Sequence, residues 1–203
     1  MASATDDATL LARIRRDEPG AFEEFVSAYG DRIYGFGRRV CGETEDARDV
    51  AQDTLLQAYL SLKGLEHPEA LRSWLYRVAS NACLMKRRKG KFEPARELSL
   101  EELAPRLGEG TGIEIPDPGA LPDESLERTR LRERVQAAIG DLPPHYRIVL
   151  VMRDMEHLSI EETAEALSLP VTTVKMRLHR ARLMVRQRLE AALAGDAAGR
   201  RKA

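Results

Sequence analysis

Cysteine is scarce, with two residues, Cys41 and Cys83, in a chain of 203. Two cysteines make neither a disulfide framework nor a metal quartet, and each is expected to be a buried side chain. The four histidines, at 67, 145, 157 and 179, show no His-x3-His spacing, and no Cys-x2-Cys occurs, so neither a structural zinc nor any other cofactor is expected. Aromatics are only 5% of the chain, with 14 Gly and 10 Pro, which speaks against a long β-sandwich or a low-complexity polymer. The longest aliphatic run is Ile148-Val149-Leu150-Val151-Met152. That is far short of the roughly 20 residues a membrane helix needs. Asp6 and Asp7 stand near the start, with no apolar leader segment, so the cytoplasm is the expected compartment. Paired-carboxylate motifs, Gly-rich phosphate loops and nucleophile elbows are missing too, which argues against an enzyme.

What is present is charge, at 32% of residues, with 32 Lys+Arg against 33 Asp+Glu. The balance is global and not local. Lys86-Arg87-Arg88-Lys89-Gly90-Lys91 is almost all basic. From Glu93 to Glu127, ten acids face only Arg96 and Arg106, a net of −8. From Val171 to Arg188 there are six bases and no acid. The near-neutral total therefore hides a basic, acidic, basic alternation. The acidic stretch also holds Gly108, Gly110, Gly112, Pro116, Pro118, Gly119 and Pro122, which break helical periodicity. It reads as a linker over 93–124, with one short helical turn near Leu98–Leu103. The organisation expected is two small domains, 1–92 and 125–192, and a disordered tail over 193–203.

Every other segment has helical spacing, so the fold class is all-α. Thr9–Arg16 and Ala21–Val40 are amphipathic, the second through Phe22, Phe25, Tyr29, Ile33 and Phe36. Thr44 is a candidate N-cap for a helix to Leu62, with Ala47, Val50, Ala51, Thr54, Leu55 and Ala58 on its apolar stripe. Asp46, Asp49, Gln52, Asp53 and Gln57 share the opposite, polar face. Pro68 precedes a helix from about Glu69 to Arg88, along which Leu71, Leu75, Val78, Ala79 and Ala82 recur; Trp74 is expected to anchor that core. In the second domain Leu131, Val135, Ile139 and Leu142 mark one helix, and Pro143-Pro144 ends it and starts another over about His145–Asp154.

The strongest local signal lies at 159–190. Ser159-Ile160-Glu161-Glu162 is a capping box, and Ile160, Ala164 and Leu167 form the inner face of a short helix. Leu167-Ser168-Leu169-Pro170 makes a turn, and a long basic helix follows with Val174, Leu178, Ala181, Val185 and Leu189 on one side. Short helix, tight turn and basic helix make a helix-turn-helix. The face opposite the stripe centres on Met176, with Thr172, His179, Arg180, Leu183 and Gln187 nearby, flanked by Thr173, Lys175 and Arg177. Arg180 suits a guanine edge and Met176 a thymine methyl. Lys175, Arg177 and Arg182 suit phosphates.

These stretches resemble the extracytoplasmic-function (ECF) sigma factors of bacterial RNA polymerase, from about residue 8 to 190. Pro170-Val-Thr-Thr-Val-Lys-Met-Arg-Leu-His-Arg-Ala-Arg182 is similar to the family's recognition helix, and Asp141-Leu-Pro-Pro-His-Tyr-Arg147 to the start of its second domain. Glu45-Asp-Ala-Arg-Asp-Val-Ala-Gln-Asp-Thr54 is similar to its polymerase-binding helix, and Arg72-Ser-Trp-Leu-Tyr-Arg-Val-Ala-Ser-Asn81 to its promoter-melting helix. Thr172 and Met176 stand where the family usually has Gly and Ser, and Leu71 where it often has Phe.

The resemblance implies a protein without bond-making chemistry, which lends RNA polymerase core a promoter address and helps open the duplex. Asp46, Asp49, Gln52, Asp53 and Gln57 would meet the clamp of the largest polymerase subunit, and the C-terminal domain the flap of the second largest. Thr172, Thr173, Lys175, Met176, Arg177, His179 and Arg180 would read the −35 element in the major groove. For the −10 element, a pocket at Lys63–Pro68, including His67, would hold an extruded base, with Asn81 contacting it. Arg77, Lys86, Arg87 and Arg88 would hold the strand. An anti-sigma factor wedged between the domains is the further partner implied. The acidic linker is either a nucleic-acid mimic in the RNA exit path or a plain spacer. A free-standing helix-turn-helix regulator explains the C-terminal domain alone and leaves the N-terminal helices without a role.

Overall fold

A computed structural model describes residues 4–89 and 123–200. The expectations for 93–122, including the short turn and the acidic mimicry, lie outside the described residues. Among those described, all elements are helical. The N-terminal unit holds α1 (Ala4–Arg15), α2 (Ala21–Cys41), α3 (Thr44–Ser61) and α4 (Leu71–Lys89), with 3-10 turns at Leu62–Gly64 and Pro68–Ala70 before α4. The C-terminal unit holds α5 (Asp123–Gly140), α6 (Pro144–Leu150), α7 (Ile160–Leu167) and α8 (Val171–Arg200). A π-helical turn, Val151–Met155, extends α6.

The N-terminal unit packs as its spacing dictates. Phe25, Tyr29, Ile33, Phe36 and Val40 of α2 are buried. They meet a stripe of smaller residues on α3: Ala47, Val50, Ala51, Thr54 and Ala58. Small side chains let two helix backbones come close. The approach is tightest at Gly37, where a Cβ would stand 3.1 Å from both the Cα and the carbonyl oxygen of Ala47. Gly35, one half-turn away, would meet only the flexible end of Arg39, at 3.5 Å. Gly37→Val is therefore expected to lose about 2–3 kcal/mol by overpacking. Gly35→Ala should gain about 0.5–1 kcal/mol from helix propensity. Urea denaturation of both variants checks the contrast. Tyr29 also donates its hydroxyl to the buried carboxylate of Asp7, tying α1 to α2. Burial, then the Asp7 hydrogen bond, raises that phenol's pKa.

Several local expectations are corrected. Thr44 is the first residue of α3 and not its cap; its hydroxyl accepts from Arg38 Nη1 instead. Leu131 is 46% exposed, because only the end of α5 from Val135 onward reaches the core, with Ala138 and Ile139 buried. The helix expected to stop before a disordered tail runs on to Arg200. Ala191-Ala192-Leu193-Ala194 are strong helix formers, and no proline follows them to end the helix. Finally, Cys41 and Cys83 are buried as expected but joined in a disulfide between α2 and α4, Cα to Cα 5.6 Å. Their spacing of 42 residues carries no information about distance in a helical fold.

The apolar run of α6 is explained by its position. Ile148 to Met152 are all buried, since α6 packs against α8 on one side and α2 on another. The two units thus share one continuous core. Two polar groups seal the join. Arg147, 6% exposed, donates Nη1 to the carbonyl of Val40 (3.1 Å) and Nη2 to the carbonyls of Leu142 (2.9 Å) and Gly140. Glu156, 9% exposed, accepts Arg39 Nη1 on one carboxylate oxygen (2.9 Å) and the Tyr76 hydroxyl on the other. Its backbone carbonyl accepts Arg72 Nη2 at 2.5 Å. Burial, then the Glu156 charge, pushes the Tyr76 phenol well above its ordinary pKa, so it stays a donor.

Candidate nucleic-acid and polymerase interface

The helix-turn-helix forms as its sequence signals require. Ser159 Oγ accepts from the Glu162 amide (3.0 Å), and Glu162 Oε2 accepts from the Ser159 amide (2.6 Å). α7 ends at Ser168, whose φ of 53° is left-handed, and Pro170 opens α8 by accepting the Val174 amide. Val174, Leu178, Ala181 and Met184 are buried and fix the rotation of α8. Thr172, Lys175, Met176 and His179 are exposed; Thr173, Arg177 and Arg180 are half-buried. Two arginines of the expected DNA face make contacts within the protein. Arg180 turns back toward the core, its Nη1 3.5 Å from the Tyr146 hydroxyl. Arg182 forms a two-pronged ion pair with Asp154 (2.9 and 2.6 Å), so it braces α8 against the π-helical turn. That pairing raises the Arg182 pKa.

On α3, Asp49, Gln52, Asp53 and Gln57 are exposed and Asp46 half-exposed, on one side. Among them stand Leu56 (58% exposed) and Leu60 (67%), with Tyr59 at the edge packed on Phe22. The sequence reading missed these leucines, although their position off the buried stripe was the available signal. Gln57 also donates to Ser61 Oγ at 3.0 Å. Lys86 of α4 reaches over to Asp49 (2.5 Å) and Asp46 (3.6 Å). The Asp49 hydrogen bond raises the lysine's pKa. Lys86 thus links α4 to the acidic face of α3.

The loop before α4 borders a cleft of about 330 Å³. His67, Trp74 and Arg77 line it, with Ser73 and the loop residues from Gly64; Glu165 and Ala166 of α7 form its far wall. His67 and Arg77 thus border the same cleft. Trp74 packs on the core and also lines the cleft. Asn81 is exposed on α4 and lies outside the lining. The side chains of Arg87 and Arg88 lie outside the described residues.

Comparison with known proteins separates the chain into two recognised parts. Residues 25–93 match the Sigma-70 region 2 family, and residues 132–185 match Sigma-70 region 4. The ECF RNA polymerase sigma factor SigW of Bacillus subtilis is 32% identical over 179 residues, 88% of this chain and 94% of the relative. The chain belongs to the ECF sigma factors of the sigma-70 family. The ECF RNA polymerase sigma-E factor of Haemophilus influenzae is 30% identical over 190 residues, 94% of this chain and 98% of that one. Among solved structures, CnrH in complex with the cytosolic domain of CnrY superposes with a TM-score of 0.61 at 24% identity, covering 93% of this chain and 99% of that one. RpoE in complex with the anti-sigma factor NepR from Bartonella quintana gives 0.60 at 20% identity, covering 84% and 98%. In this sigma factor the regions matched are the helices carrying the α3 face, the cleft and the helix-turn-helix. Among the described residues no helix is long and apolar enough to cross a membrane.

Proposed function

We propose that this chain is the promoter-specificity subunit of a bacterial RNA polymerase, with three surfaces used in turn. The α3 face docks on the clamp of the largest core subunit, and the C-terminal unit meets the flap of the second largest. Thr172, Lys175, Met176 and His179 read the −35 element from the major groove, with Thr173 and Arg177 beside them. Arg180 joins them once it swings off Tyr146. The cleft at His67, Trp74 and Arg77 receives a base of the −10 element as the duplex opens, with Asn81 and the basic end of α4 along the strand. No bond is made or broken by the protein, and its place of work is the cytoplasm, where the polymerase is. A partner of the anti-sigma kind, seated between the two units, is its expected regulator.

The observation that carries this reading is the α3 face. A solvated helix face has no need of Leu56 and Leu60 among Asp49, Gln52 and Asp53, whereas a partner helix bearing arginines and aliphatics does. Exposed apolar residues set among charges of one sign mark a protein contact. Binding to purified RNA polymerase core tests it by size exclusion. Wild type should co-elute, and Asp49→Ala/Asp53→Ala should weaken the complex about tenfold or more. Failure of the wild type to bind core, with tight DNA binding by the protein alone, would favour a free-standing regulator.

A further inference from the structure

The disulfide lies where the C-terminal unit is held. Cys41 is the last residue of α2 and keeps 6% of its surface; Cys83 is fully buried on α4. Immediately before Cys41, Arg39 binds the Glu156 carboxylate and Val40 offers its carbonyl to Arg147. At the other end of the bridge, α4 supplies Arg72 to the Glu156 carbonyl and Tyr76 to its carboxylate. The C-terminal unit therefore docks on a receptor built from two helices, and the disulfide joins those two helices. Glu156 is gripped from both at once, one oxygen by each. A shift of the end of α2 relative to α4 would break that alignment, since hydrogen bonds weaken steeply with distance and angle.

We propose that Cys41 and Cys83 form a redox clasp on closure of the two units: the disulfide favours the closed form, and the dithiol releases the C-terminal unit. The oxidant is a peroxide. The Cys41 thiolate, the more exposed of the two, attacks one peroxide oxygen, giving a sulfenic acid and hydroxide, which takes up the thiol's proton to become water. Cys83 sulfur then attacks the sulfenic sulfur; its proton leaves with the hydroxyl as a second water. The balance is two thiols and one hydrogen peroxide to one disulfide and two waters. A dithiol reductant reverses the step by two thiol–disulfide exchanges. In the closed form Glu165 and Ala166 wall the cleft, so oxidation keeps α7 in place as that wall. The clasp rests on the geometry of the closed fold and stands apart from the polymerase reading.

Closure and bridge must bias each other by the same factor. The test uses the full chain, oxidised by hydrogen peroxide or reduced by dithiothreitol. Small-angle X-ray scattering should give a larger radius of gyration for the reduced protein, and Cys83→Ser should show the larger value in both conditions. Arg39→Ala and Glu156→Ala each loosen the grip without touching sulfur; Arg39 is 37% exposed, so its loss leaves the core intact. In a dithiothreitol redox buffer, both variants should shift the dithiol-to-disulfide ratio toward dithiol about fivefold or more. Identical scattering of oxidised and reduced wild type, or an unchanged ratio in the two variants, would overturn the clasp.

Discussion

Arg147→Ala should lower the stability of the whole chain by about 4 kcal/mol, the largest loss expected from a single side chain outside the apolar core. Arg147 is 6% exposed, and its guanidinium donates to three backbone carbonyls, those of Val40, Gly140 and Leu142. A hydrogen bond from a charged donor contributes about 1.5–3 kcal/mol, and removal leaves buried acceptors without partners. Gly140 is exposed, so water recovers part of the loss there. Arg147→Lys should rescue little, because one ammonium does not reproduce a fork that reaches carbonyls on two units. Urea denaturation of the three proteins checks this. A loss below about 1 kcal/mol for the alanine variant would mean that the carbonyl contacts contribute nothing net.

Removing the disulfide should have an effect of similar size. It closes a loop across a sequence separation of 42, which by chain entropy stabilises the fold by about 4 kcal/mol. For a chain of this length that corresponds to a fall in Tm of about 8–16 °C. Thermal unfolding with and without dithiothreitol measures it, and Cys41→Ala/Cys83→Ala should unfold at the low temperature in both conditions. An equal Tm with and without reductant would show that the bridge adds no stability.

The helices were legible because each has a single apolar face at helical spacing and a chemical signal at its end. The box of Ser159 and Glu162, Pro170, and Pro144 after Pro143 are such signals, and each starts or stops a helix where expected. The exposed residues of α8 follow from the same arithmetic, since burying Val174, Leu178 and Ala181 leaves Thr172, Lys175, Met176 and His179 outside. What escaped sequence reading depends on contacts between distant segments. Arg147 bonds Val40 across 107 positions, and Arg39 bonds Glu156 across 117. Charged residues are usually exposed, so nothing in their local pattern marked Arg147 or Glu156 as buried. Arg180 and Arg182 were assigned outward by helix angle alone; their long side chains bend to Tyr146 and Asp154, which angle does not encode. The resemblance implies separate partners for Lys86 and Asp49, and no local pattern marks that α3 and α4 lie side by side and pair the two.

The closed arrangement and the proposed role make one demand on each other. With α7 forming a wall of the cleft, a base that enters it in the closed form lies against Glu165 and Ala166. Under the proposed role, docking on core polymerase is the step at which the C-terminal unit would leave that wall.

Transcription reconstituted from purified bacterial core polymerase and genomic DNA fragments, with the 5′ ends of the RNA mapped, tests the central claim most directly. Core plus this chain should yield discrete start sites missing with core alone, sharing one sequence pair upstream. Lys175→Ala and His179→Ala should weaken or redistribute those starts, and Asp49→Ala/Asp53→Ala should abolish most of them. The same diffuse ends with and without the chain would contradict a role in promoter selection.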